Sequence, residues 1–344
     1  MLGLVNLTSF AASHALLLDT DGAHVLCVGI KASFDLHEDG APVLSPDQEP
    51  VMLSPRHLAD DPARSLLREA ELTLDHPGTD VIVNAVAHAP GGRAVARLPV
   101  TVQVGALKAG AVVSGHRLWQ RQGSQVLPGT PEPFTRLPLC PENAFGGGHA
   151  VAEGFVCDER NPLGRGFCTD PLALIGQPLP NIEAPGAELT RALPGALPPV
   201  AGFAARAGHW LDRRRLAGTY DAAWQRDRMP LWPQDLDRGH FRAAMPALQS
   251  PAELLGHEPV VLSHLSPSGQ TDFRLPRVVP LLRSLIRGEK AFQPVHLRRI
   301  ILEPERGRLV MLWRGMIRAG RDGRVIERVT IDQRRIERAS EVVA

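Results

Sequence analysis

The chain is poor in lysine, cysteine and tyrosine, and long apolar runs are missing; each shortage excludes something. Lys31, Lys108 and Lys290 stand against 35 arginines. Genomic base composition accounts for this bias most simply; a planar guanidinium also suits bidentate interface contacts better than an ammonium group does, and composition leaves both readings open. The four cysteines (Cys27, Cys140, Cys157 and Cys168) show no C-x-x-C spacing and are too sparse for a disulfide framework. Free, mostly buried thiols in a reducing cytoplasm are expected. No stretch approaches about 18 uninterrupted apolar residues, so no membrane insertion is expected. The opening MLGLVNLTSF has neither the basic nor the apolar part of a secretory signal. A net charge of +1 offers no electrostatic footprint for nucleic acid.

Catalytic templates are missing too. There is no G-x-S-x-G elbow, no G-x-x-x-x-G-K-[ST] loop and no G-x-G-x-x-G fingerprint. Gly146-Gly147-Gly148-His149 reads as a tight turn that needs positive φ; its alternative is an oxyanion loop without the companion elbow. His149, Cys140, Cys157 and Cys168 are irregularly spaced, so no metal and no cofactor is expected. Asp235/Asp237 follows Pro233 and precedes Arg238, and reads as an Asx-type turn or an Asp–Arg pair; Glu303/Glu305 flanks Pro304 at a hairpin, where solvated charge is expected.

What is present is β-patterning and an uneven charge. Residues 1–100 hold 13 acids and 6 bases, whereas residues 277–344 hold 16 bases and 8 acids. Internal compensation is the simpler reading of this asymmetry. Residues 23–36, 80–88, 94–104 and 111–120 alternate apolar and polar side chains at about ten-residue spacing, as antiparallel strands do. Asp61–Leu72 predicts a helix, with Asp61 as cap and Pro62 at its first position. Residues 120–260 carry 18 of the 31 prolines, which predicts ordered irregular loops and a few short helical turns, one of them within Phe241–Leu248. Hairpins are expected at Ser266–Gly269 and Glu305–Gly307, a last strand at 325–331 and a frayed end over 332–344. The predicted fold is mainly β: two β-rich, sandwich-like halves of antiparallel strands, joined by a Pro/Gly-rich middle. The expected divisions are 1–125, 126–258 and 259–344.

The middle third carries five signatures: PFTRLPLCPENAFGG (133–147), ERNPLGRGF (159–167), LPNIE (179–183), LAGTYDAAWQRDRMPLWPQDLD (216–237) and LLGHEPVVL (254–262). They are rich in Gly, Pro, Trp and paired charges. Candidate protein-binding or loop-bracing residues are Asn161, Arg165, Asn181, Glu183, Trp210, Tyr220, Asp221, Trp224, Asp237 and Arg238. Asn161-Pro162 starts a turn that presents Arg165 between Gly164 and Gly166, either to a partner or to an internal clamp on Glu159 or Glu183. Tyr220 and Trp224 stand four residues apart and would share one helix face, as interface anchors or as a lid on the core.

On these residues the chain resembles a bacterial domain-of-unknown-function family encoded beside type VI secretion effectors and PAAR or VgrG spike proteins. The resemblance runs from about Phe34 to Pro276. It includes EAELTLDHPGTDV (69–81), the Gly115-His116-Arg117-x-Trp119 step and the five signatures. His76, Asn84 and Leu236 depart from the usual Lys, Gly and Phe. The resemblance implies a non-enzymatic adaptor or chaperone that holds a secreted effector, or its PAAR-like region, in the cytoplasm and loads it onto the spike. Two other classes are weighed against it. One is a hydrolase or toxin-like enzyme built on Gly146–His149, Cys157 and Asp235/Asp237. The other is a carbohydrate- or envelope-binding β-module.

Overall fold

The computed structural model describes residues 3–37, 41–192, 197–320 and 326–337. The fold is mainly β. Its largest sheet runs in the order Gln249–Ser250, Thr79–Val83, Val295–Glu303, Arg308–Gly320, His24–Asp35, Ala11–Leu18, and Val43–Leu44 adds beside the end of His24–Asp35. Thr79–Val83 and Val295–Glu303 lie parallel, and the other pairs of this sheet are antiparallel. A second, antiparallel sheet orders Ile182–Glu183, Leu107–Ser114, Arg97–Val104, Pro259–Ser263 and Gln270–Arg274. A third joins Gly3–Asn6, Ile326–Glu337, Arg277–Ile286 and Glu289–Gln293.

Side-chain alternation explains the second sheet. Leu98, Val100, Val102 and Val104 point inward, and the residues between them are more exposed. His24–Asp35 behaves differently: ten consecutive residues are buried, because material covers both faces of this central strand. Gly29 lies where a Cβ would come within 2.8 Å of Leu72, so the covering segment could not approach a larger residue so closely. Ile30, Ile301 and Leu309 share one core with Val100, Val260, Leu282 and Val329 from the other sheets.

The segments 1–125 and 259–344 supply neighbouring strands of the same sheets. His24–Asp35 pairs with Arg308–Gly320, Thr79–Val83 with Val295–Glu303, and Arg97–Val104 with Pro259–Ser263. Both expected hairpins form, and Gly307 takes the left-handed conformation (φ 56°) at the second. The Arg238–Phe241 and Pro246–Leu248 turns are short 3-10 helices. The last strand extends to Glu337, beyond its expected end, and the rest of the supposed frayed tail lies outside the described residues.

The helix expected over Asp61–Leu72 does not form. Asp61 caps a turn by accepting from the Ala63 amide (2.9 Å), and Leu66–Arg68 is a short strand paired with Arg56–His57. Leu66 and Arg68 both face inward, two residues apart, which a strand allows and a helix does not. The strand expected over 111–120 ends at Ser114, because Gly115 passes against Glu132 and Arg117 turns into the interior.

The acidic front and the basic tail compensate each other inside the fold. Arg68 grips both oxygens of Glu303 (2.9 and 2.7 Å), and Arg298 grips both oxygens of Asp75 (2.7 Å each). Arg299 reaches Glu69 (3.0 Å) and Arg308 reaches Asp35 (3.2 Å). Lys31, fully buried, lies 3.0 Å from the fully buried Glu71. Burial opposes ionisation of Glu303, but hydrogen bonds and charge from Arg68 outweigh it and hold the carboxyl below its usual range. Removing that partner leaves a buried guanidinium under-compensated. Glu303→Ala is expected to lower the unfolding free energy in urea by about 3–5 kcal/mol, toward the lower end because Glu49 stays 3.3 Å from Arg68.

His76 generates a pH dependence. Burial, and next the charge of Arg314, push the imidazole down to about 2. Above about pH 6.5 both folded and unfolded states hold it neutral and it contributes nothing. Below that, the unfolded chain takes up a proton that the folded chain refuses, so stability falls by up to about 1.4 kcal/mol per pH unit. Urea titrations at pH 7 and 5.5 are expected to show this loss in the native chain and to show it diminished in His76→Gln.

Candidate functional site

The first two signatures interlock around Asn161, which is fully buried. Its side-chain amide donates to the carbonyls of Pro141 (2.9 Å) and Phe145 (3.0 Å), and its own carbonyl accepts from the amides of Gly147 (2.8 Å) and Gly164 (3.1 Å). The glycines are there because the strands nearly touch. A Cβ on Gly147 (φ +80°) would stand 2.2 Å from the Gly164 carbonyl. Phe145–Gly146 and Arg165–Gly166 then pair as a short parallel ladder. Arg165 is an internal clamp, but not on Glu159 or Glu183: its Nε donates to the Glu142 carbonyl (2.8 Å) and its Nη2 to Asn143 Oδ1 (2.7 Å). Glu142 in turn accepts from the Ser65 amide (3.0 Å) and hydroxyl, which ties this loop pair to the 56–68 hairpin.

LPNIE is a second brace. Asn181 donates to the Ser114 carbonyl (2.9 Å) and its amide donates to the Asn143 carbonyl (2.8 Å). Glu183 is buried; it accepts from the Leu189 amide (2.8 Å) and pairs with the buried Arg117. Burial pushes the Glu183 carboxyl up, against the lowering influence of the Leu189 amide and Arg117. Trp210 is part of the main core and precedes the short helix Leu211–Arg214. Arg213 of that helix is buried and donates to the carbonyls of Arg206 (2.6 Å) and His240 (2.8 Å), with Glu69 2.7 Å away.

The fourth signature folds as an arm from 216 to 238. Asp235 accepts from the amide and hydroxyl of Thr219 (3.0 and 2.7 Å) and closes its base. Asp221 caps the helix Ala222–Asp227 by accepting from the Trp224 amide (2.7 Å). Trp224 Nε1 donates to the Leu231 carbonyl (2.9 Å), and Arg228 donates to the carbonyls of Trp232 (2.6 Å) and Thr20. Asp237 accepts from the Gly239 amide (2.7 Å), while Arg238 pairs with Asp19. The arm is therefore closed on itself and fixed to the 19–22 turn at the edge of the largest sheet. Tyr220, 51% exposed, meets Trp224 edge to face with ring centroids 4.7 Å apart. Beside them lies an open groove of about 380 Å³, lined by Thr219, Asp221, Trp224, Asp227, Pro233 and Asp235 among others.

The ten candidate residues thus divide. Asn161, Arg165, Asn181, Glu183, Trp210, Asp237 and Arg238 spend their polar groups or their area on internal contacts. Asp221 and Trp224 also spend polar groups inside the arm, but with the exposed Tyr220 they meet at one surface corner, where Trp224 is half-buried. Glu142, Arg117 and Arg213, each central to a brace, were not singled out as braces; Glu142 and Arg117 stand inside quoted motifs, but nothing local marks a side chain whose partner is over 60 residues away.

The groups a hydrolase would need do not converge: His149 and Cys157 share a hairpin but point to opposite faces, and the acids lie in the arm. His149 shares a hydrogen bond with Thr169 Oγ1 (3.0 Å) and lines a cavity of about 350 Å³ with Gly146, Arg165 and Cys168. Cys157 faces Gly148 across the hairpin Gly148–Val151/Gly154–Cys157. Asp235 and Asp237 each hold a turn in the arm. Burial, and next the Glu142 charge, push the Cys140 thiol up to about 11. Among the described residues no group of three His, Cys, Asp or Glu side chains could hold a metal ion, and no helix is long and apolar enough to cross a membrane.

A family profile described as "Uncharacterized protein conserved in bacteria (DUF2169)" matches residues 21–314, which include the Asn161 and Asn181 braces and the arm itself. Neither a curated protein nor a solved structure matches the chain.

The Asn161 brace makes a direct expectation. Asn161→Asp keeps the volume but aims carboxylate oxygens at two carbonyls; Asn161→Ala simply leaves those carbonyls without a donor, a loss of about 1–3 kcal/mol. Thermal unfolding should therefore rank the native chain first, Asn161→Ala second and Asn161→Asp last.

Proposed function

The chain belongs to the DUF2169 family of proteins conserved in bacteria, and from that premise we propose that it is a non-enzymatic adaptor of type VI secretion. It binds an effector, or the PAAR-like region of one, in the cytoplasm of the producing cell and helps load it onto the VgrG spike. The observation that carries the reading is the exposed Tyr220–Trp224 corner on an arm that is otherwise fully braced. Tyr and Trp supply large contact area at low conformational cost and are frequent anchors of protein interfaces. An arm already held by Asp221, Asp235, Arg228 and Arg238 loses little further freedom when a partner docks. His149 and Cys157 share one hairpin but stand one register step apart, which sends their side chains to opposite faces, and Asp235 lies in the arm; this favours binding over hydrolysis.

The test is co-expression with the effector or PAAR-bearing protein encoded next to this chain's gene. Affinity capture should recover a complex. Tyr220→Ala should weaken it about tenfold or more, as truncating an interface anchor does, and cost the fold only the Trp224 ring contact, about 0.5–1.5 kcal/mol. Arg165→Glu should act the other way round, lowering the melting temperature first. Normal effector secretion from a deletion strain would refute the adaptor role.

A further inference from the structure

The largest sheet ends at Ala11–Leu18. This strand pairs with His24–Asp35 on one side and, among the described residues, with no strand on the other. Val43–Leu44 continues the same row beside Phe34 and Asp35, past the point where Ala11 meets Lys31. A sheet edge presents a row of unpaired N–H and C=O groups, and native edges are normally blunted by shortness, charge or proline. The other edges of the three large sheets follow that rule. Ile182–Glu183 and Gln249–Ser250 are two residues long, and Gly3–Asn6 is four. Gln270–Arg274 carries Asp272 and Arg274, and Glu289–Gln293 carries Glu289 and Lys290. Ala11–Leu18 reads AASHALLL: eight residues without Asp, Glu, Lys, Arg or Pro. Leu16 is 50% exposed, and Leu18 and Val43 also face solvent.

We propose that this edge is an interface between two copies of the chain, joined antiparallel about a two-fold axis into one continuous sheet. Unpaired backbone groups in a row ask for a strand, and the absence of charge allows that strand to be this one. Like charges directly opposite one another destabilise a strand pair. An antiparallel copy on Gln270–Arg274, centred on its middle residue, would set Asp272 against Asp272, whereas Ala11–Leu18 sets no Asp, Glu, Lys or Arg against its own copy in any register. A two-fold axis perpendicular to the sheet preserves both faces. Ala12, His14, Leu16 and Leu18 of one copy then meet the same set from the other, so the exposed leucines are covered. Ala15 and Leu17, which pack beside Cys27, Val51 and Leu72, continue that layer across the axis. The turn that follows Leu18 is the one gripped by Arg228 and Arg238, so a dimer of this kind would carry two arms, one on each side of the joined edge. The interface does not depend on the secretion reading.

The experiment is sedimentation equilibrium on the full-length protein over a range of concentrations. The native chain of 37.3 kDa is expected to sediment at twice that mass. Leu16→Lys/Leu18→Lys should lower the association constant at least about tenfold by setting like charges into the seam, with the far-UV spectrum retained and the melting temperature equal to that of the native chain diluted to monomer. Phe292→Lys, a comparable exposed change on another edge, should leave the dimer intact. Amide exchange along 11–18 should slow as protein concentration rises. A monomer at every concentration overturns the proposal. So does a dimer indifferent to the double lysine variant, or a monomer that captures the neighbouring effector through 11–18, which would make a client strand the occupant.

Discussion

Buried charge is the constraint on which this architecture depends. The segment 47–80 crosses the largest sheet with Glu49, Glu69, Glu71, Asp75 and Asp80 along it, and several of these carboxylates leave water on folding. A carboxylate can be buried only with a partner that returns most of its lost hydration. The partners come from far away in sequence: Lys31, Arg242, Arg298 and Arg299, with Arg68 reaching to Glu303 in the opposite sense. These pairings favour the parallel placement of Thr79–Val83 against Val295–Glu303 and bring the two ends of the chain into one sheet. Bidentate geometry at Arg68–Glu303 and Arg298–Asp75 shows what a guanidinium does here that an ammonium group could not.

The irregular middle third rests on that frame and has a frame of its own. With few backbone ladders available, its loops are held by side chains that reach carbonyls: Asn161 to Pro141 and Phe145, Arg165 to Glu142, Asn181 to Ser114, Arg213 to Arg206 and His240. Each satisfies backbone groups that a loop would otherwise bury unpaired. Rigidity is thereby carried outward from the sheets through the loops to the arm, where Tyr220 and Trp224 stand at the surface. A binding role follows naturally from this arrangement, because a surface fixed in advance has little left to lose on docking.

Much was legible from local pattern. The strand-forming alternation around Arg97–Val104, the hairpins at Ser266–Gly269 and Glu305–Gly307, and the Tyr220–Trp224 contact all depend on residues close in sequence. The charge asymmetry between the chain's ends was visible too, as was its internal compensation in general terms. Asp61–Leu72 was misread because its capping signals are local, whereas the forces on Leu66 and Arg68 are not: an inward-facing pair and a distant Glu303 override helix propensity. For Arg165 the local pattern leaves partner contact and internal clamp open, and of its two expected clamp partners, Glu159 and Glu183, it takes neither. A carbonyl acceptor such as that of Glu142 leaves no trace in residue identity, since every residue has one.

The sequence by itself determined a mainly β chain, a proline-rich centre of ordered loops, and membership in a bacterial family through motifs in fixed order. Those properties follow from periodicity, from the dihedral limits of Gly and Pro, and from the order of residues along one chain. Tertiary structure decided which strands are neighbours, which of the signature side chains brace and which face outward, and which sheet edge is left uncharged and open. Each of these depends on contacts between segments tens to hundreds of residues apart, where burial, close approach and charge pairing select one arrangement among many that the same local pattern permits.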